Sequence, residues 1–205
     1  MSIEEICKEY KIKNYTINPD ESIDVNGSVN LSNWRMNEFP LKFNKVTGNF
    51  YCDNIGLKTL KGAPKWVGGV FGCSSNELES LVNSPEYVGK GFFVDSNKLT
   101  SLDGCPKEIG KDFSFDFNEV YSLDGAKETK VGNKYTMQFN PVSWIFYEEL
   151  ATSSYYYVTP ELVEWIIKAK VIKGKTINVK RLQYVFSFFN KKVNVSAFKQ
   201  YYSLV

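Results

Sequence analysis

Apolar residues recur along the middle of the chain with a fixed step of 21 residues. Phe50, Phe71, Phe92 and Phe113 form one column, and Leu60, Leu81, Leu102 and Leu123 a second. Leu57, Leu78, Leu99 and Val120 keep the same phase, as do Pro64, Pro85 and Pro106, and Val67, Val88 and Ile109. Independent columns in phase are the mark of an internal repeat, in which each unit buries its apolar face against its neighbours. One step back from Phe50 lie Val29, Leu31, Met36, Phe39 and Val46, so a degenerate first coil starts near Val25. Going forward, one residue is inserted around Lys130, after which Tyr135, Met137, Asn140 and Val142 resume the pattern. The array therefore spans residues 25–144, between flanks of residues 1–24 and 145–205.

Within a coil, Phe71 and Cys73 alternate with Gly72 and Ser74, which predicts a strand of three or four residues. Asn76 follows, and Asn97, Asn118 and Asn140 repeat it. In so tight a coil an asparagine side chain can pair backbone groups that would otherwise be buried without partners. A leucine, a small residue and a proline then turn the chain back without requiring a full helix. The predicted fold is an α+β repeat, a solenoid with a short-strand parallel sheet. Both flanks read as helical caps. Ser2 to Glu5 is a capping box leading Ile3, Ile6, Cys7 and Tyr10 onto one face. Thr159-Pro160-Glu161 starts a second helix with Leu162, Trp165, Ile166 and Ala169 on one side, and a third begins after Asn178 with Val179, Leu182, Val185, Phe186 and Phe189 as its stripe. Tyr155, Tyr156 and Tyr157 read as packing residues.

The unit F-x-C-x-x-N-x-L-x-S-L-x-G-x-P resembles the leucine-rich repeat, L-x-x-L-x-L-x-x-N-x-L, over about 120 residues. It is most similar to the short-coil bacterial and bacteriophage type, in which a proline-containing return replaces the helix. Ile55 and Trp34 stand where the asparagine is expected, and Phe or Tyr fills a column that favours leucine. The substitutions imply a looser front end and a wider core. The resemblance implies a curved, ligand-binding scaffold, and its phage-type members suggest a phage-encoded inhibitor of a host or defence protein, at work in the host cytoplasm.

Composition narrows the chemistry. The 205 residues contain no histidine, which removes the commonest general base and the commonest metal ligand. Cys7, Cys52, Cys73 and Cys105 show no C-x-x-C spacing and read as small buried hydrophobes. No enzyme activity, catalytic residue, metal or cofactor is expected. No apolar run is long enough to span a bilayer, and the first ten residues lack a signal-peptide pattern, so no membrane association and a cytoplasmic location are expected. A net charge of +2 does not by itself imply a polyanion partner.

Repeat phase assigns the outward, concave positions. One column is Asn30, Tyr51, Gly72, Phe93, Ser114 and Thr136; the next is Ser32, Asp53, Ser74, Asp95, Asp116 and Gln138; a third is Asn33, Asn54, Ser75, Ser96, Phe117 and Phe139, with Asp112 close by. Acid with interspersed aromatics suits a protein partner carrying a basic patch, so Tyr51, Asp53, Phe93, Asp95, Asp112, Asp116, Phe117 and Phe139 are the candidate partner-binding residues. Paired carboxylates such as Asp112 and Asp116 offer a less favoured alternative, a catalytic dyad or a divalent-cation site. After Glu164 there is no acidic residue, whereas Lys168, Lys170, Lys173, Lys175, Lys180, Arg181, Lys191, Lys192 and Lys199 follow. The first six of these form a candidate anion site for a nucleotide signal or nucleic acid, with Tyr184, Phe188, Tyr201 and Tyr202 available for stacking.

Overall fold

A computed structural model describes residues 1–146 and 157–205. The middle of the chain winds into a β-solenoid of about five turns. Each turn contributes strands to two sheets rather than one. The first sheet runs in the order Tyr15–Ile17, Ser22–Val25, Lys42–Val46, Trp66–Val67, Tyr87–Val88, Glu108–Ile109 and Lys130–Val131. All of its pairings are parallel except the outermost, where Tyr15–Ile17 lies antiparallel to Ser22–Val25. The second sheet is parallel throughout, from Val29–Asn30 through Phe50–Tyr51, Phe71–Gly72, Phe92–Phe93 and Asp112–Ser114 to Lys134–Thr136.

The second sheet is the one expected from the Phe–Cys alternation. The first was hidden in the proline-containing return, because Trp66–Val67, Tyr87–Val88 and Glu108–Ile109 each offer a single buried residue followed by glycine, so no alternation registers. Between the two sheets the chain turns a corner at Gly68, Gly89, Gly110 and Gly132. A Cβ on any of the last three would sit 2.2–2.3 Å from the carbonyl oxygen of the glycine one coil before. Only glycine allows the corners to stack at that separation.

The core is a ladder of rings. Phe50, Phe71, Phe92, Phe113 and Tyr135 follow one another with centroid separations of 5.6, 5.4, 5.3 and 5.6 Å. The four phenylalanines are fully buried, and the leucine columns close the other side. Beside the rings runs a ladder of buried asparagines. Asn76 Oδ1 accepts from the backbone N–H of Ile55, Gly56 and Leu57 in the preceding coil, while its Nδ2 donates to the carbonyls of Cys52 and Cys73. Asn97, Asn118 and Asn140 repeat the pattern, accepting from Leu78, Leu99 and Val120. One amide group thus satisfies buried donors and acceptors of two coils, as expected from the repeat.

Helix α1 (Ile3–Glu9) begins with the anticipated capping box, Ser2 Oγ accepting from Glu5 N and Glu5 Oε2 accepting from Ser2 N, and buries Cys7. At the other end, α2 (Pro160–Lys168) starts at Thr159 and buries Leu162, Val163 and Ile166. Helix α3 (Val179–Phe188) starts at Asn178 and buries Leu182, Val185 and Phe186. Trp165 departs from expectation: the buried stripe of α2 is centred on Leu162, Val163 and Ile166, which leaves Trp165 at its edge and exposed. Tyr135 and Val158 exchange two backbone hydrogen bonds of 2.9 Å, and Tyr202 Oη donates to the Tyr121 carbonyl at 2.6 Å, tying this segment to the last coils. Tyr155 and Tyr156 lie outside the described residues; Tyr157 is exposed. No described helix is long and apolar enough to cross a membrane.

Candidate partner-binding face

The outward side of the second sheet carries the three columns read from the repeat, and each has its own structural character. In the first, Tyr51 and Phe93 are half-buried because their rings lie back on the sheet. The Tyr51 ring covers Gly72, and the Phe93 ring covers Gly91.

The second column is a hydrogen-bonded ladder along the solenoid axis. Ser32 Oγ donates to Asp53 Oδ2; Asp53 Oδ1 accepts from Ser74 N; Ser74 Oγ donates to Asp95 Oδ2. Asp95 Oδ1 then accepts from Asp116 N and from Ser114 Oγ, and Asp116 Oδ1 accepts from Gln138 N at 2.6 Å. The aspartates therefore brace adjacent coils as well as making the face acidic. None of Asp53, Asp95 or Asp116 forms an ion pair among the described residues. Burial raises the Asp116 carboxyl to about 6, and the nearby negative charge of Asp95 adds to the rise. The carboxylate facing Asp116 is thus Asp95, one coil back. Asp112 is bound instead by Asn133 Nδ2 at 2.6 Å.

The third column is a turn position. Asn33, Asn54, Ser75, Ser96, Phe117 and Phe139 all adopt positive φ, between 53° and 68°. Asparagine tolerates this left-handed conformation because its short polar side chain bonds locally, whereas a bulky ring there is an outlier. Yet Phe117 (φ 55°) and Phe139 (φ 56°) hold it, stacked on each other with centroids 4.4 Å apart and planes 17° from parallel. They are 52% and 62% exposed. Among the described residues neither ring belongs to the hydrophobic core or packs against it, and both sit on a strained backbone. The signal was legible in the column itself, whose first four members are turn residues.

The candidate anion residues are spread more widely. Lys170, Lys173 and Arg181 border one open recess, which they share with Asp103 and Asp124. Lys168 is paired with Glu164 at 2.6 Å, Lys175 lies 4.1 Å above the Tyr121 ring, and Lys180 is exposed on α3. Of the aromatics expected beside these cations, Tyr184 and Phe188 meet edge-on at 4.8 Å, and Trp165, which was expected on a buried stripe, joins them by stacking on Phe188 at 5.4 Å.

Comparison with protein-family models, with curated proteins and with solved structures found no match for this chain.

Proposed function

We propose that the chain is a non-enzymatic binding module that engages a protein partner through the outward face of its second sheet, with Phe117 and Phe139 as the anchor. One observation carries the reading: two stacked, half-exposed rings occupy left-handed turn positions that the other coils give to Asn or Ser. Strain and exposed apolar surface both cost stability, and their coincidence at one spot is the signature of a site kept for contact. Asp95 and Asp116, which form no ion pair among the described residues, favour a partner with a basic patch, which their field would steer and orient. The scaffold is read as leucine-rich-repeat-like. Helix α1 and the segment after Val158 act as its end caps, a role supported by burial of Cys7 and by the Tyr135–Val158 bridge.

The test is capture with immobilised full-length chain from a lysate of the source cells, run in parallel with the Phe117→Ser/Phe139→Ser variant. A polypeptide retained stoichiometrically by the parent and lost by the variant supports the reading. A polypeptide retained equally by both removes the aromatic pair from the interface and overturns it.

A further inference from the structure

The second aromatic cluster sits in a different electrostatic setting. Residues 165–205 contain nine lysines and arginines and no acidic residue, although the whole chain is nearly neutral. On α3 the inward side is taken by Leu182, Val185 and Phe186. At 3.6 residues per turn, Lys180, Arg181, Tyr184 and Phe188 share an arc of about 100° on the opposite side. All four are exposed, Tyr184 by 60% and Phe188 by 57%. Trp165 of α2 widens the aromatic surface by stacking on Phe188, and exposed Lys192 follows the end of the helix.

Cations and rings thus lie along one stripe, about 6 Å apart at each four-residue step. An acidic peptide would use the cations but not the rings, whose faces carry negative potential and repel carboxylates. An anionic lipid surface favours a helix with apolar and cationic residues on separate faces. Here they share one. Single-stranded nucleic acid uses both together, because its bases stack on aromatic rings while its phosphates pair with nearby cations. A duplex hides its bases and would leave the rings unused.

We propose that this α3 stripe is a single-stranded nucleic-acid site, separate from the partner-binding face, with bases on Tyr184 and Phe188 and phosphates on Lys180, Arg181 and Lys192. Its preference for sequence is weak, since every base has a stacking face.

The probe is a fluorescein-labelled thymidine oligomer of about twelve nucleotides, titrated with the full chain by anisotropy at about 50 and 200 mM salt. Saturable binding is expected at the lower salt. Release of counterions from three or four phosphates weakens it roughly 20- to 50-fold at the higher salt. Tyr184→Ala should lower affinity at fixed salt by about fivefold or more, as loss of one stacked base, with an unchanged melting temperature. Tyr184→Phe should restore it. Tyr184 is the first choice because Phe188 also supports Trp165.

Absence of saturable binding at the lower salt overturns the proposal. So does salt-sensitive binding that Tyr184→Ala leaves intact, which would be charge adhesion alone. Retention on phosphatidylserine-containing vesicles without oligomer binding would overturn it in favour of a lipid surface.

Discussion

The side-chain oxygen of Asn97 accepts the backbone N–H of Leu78, one coil earlier, at 3.0 Å, while its nitrogen donates to the carbonyls of Cys73 and Val94. Two coils are joined through one amide group that is 8% exposed. Asn97→Ala leaves buried partners on both sides without a replacement and should cost about 2–4 kcal/mol in chemical denaturation. Asn97→Asp should do no better, because a carboxylate cannot donate to those carbonyls. An aspartate variant as stable as the parent would show that the donor half of the ladder contributes nothing.

Phe92 is a core residue held between Phe71 and Phe113. Phe92→Ala should destabilise by about 3–5 kcal/mol, the usual range for removing a buried aromatic ring. A change below about 1 kcal/mol would mean that the ring column is not the packed centre.

Asp116 makes stability depend on pH. Its native carboxyl binds a proton more tightly than an unfolded one, so between about 6 and the ordinary carboxylate range the folded state holds more protons. This contribution rises as pH falls from 7 toward 5 and is absent well above 6. Asp116→Asn keeps an oxygen for Gln138 N but removes the charge. It should raise stability at pH 7 by on the order of 1 kcal/mol and flatten the slope between pH 7 and 5. A slope identical to the parent's would place the titration elsewhere.

Phe117 and Phe139 should be nearly neutral for folding. Replacing both by Asn relieves about 1–2 kcal/mol of backbone strain at each and loses a ring pair worth about 0.5–1.5 kcal/mol plus its partial burial. The double variant should melt within a few degrees of the parent. A fall of more than about 2 kcal/mol would identify the rings as core.

Tyr135 is 2% exposed, and its hydroxyl has no hydrogen-bond partner among the described residues; burial raises its pKa well above the ordinary tyrosine value. Tyr135→Phe should therefore be neutral or stabilising by up to about 1 kcal/mol, measured by thermal melting. Clear destabilisation would show that the hydroxyl has a bound partner in solution.

Much of the solenoid was legible because its core residues recur in fixed columns. Phe50 to Phe113, the leucines and Asn76 to Asn140 all took their expected places. The first sheet was not, since Trp66–Val67, Tyr87–Val88 and Glu108–Ile109 each bury one residue and run into a glycine, leaving no alternation to read. The glycine corner at positions 68, 89, 110 and 132 was not read from the sequence, because its cause, carbonyl contact between coils, needs three dimensions. For the candidate face, phase located Asp53, Asp95 and Asp116 but could not tell that they accept backbone N–H groups of the next coil. Trp165 was assigned to a buried stripe because α2 buries Val163 where periodicity alone allowed either side.

The single antiparallel strand at the start of the first sheet has a bearing on how these molecules coexist. A parallel stack offers its end strand as a template, and copies of one chain could in principle add coil upon coil into a fibril. Tyr15–Ile17 occupies that end with reversed polarity, so a coil added there from a neighbour would meet an antiparallel strand in place of the parallel ladder that it continues. At that edge of the first sheet the parallel ladder stops at Ser22–Val25, and the outermost strand has the wrong polarity to serve as its continuation.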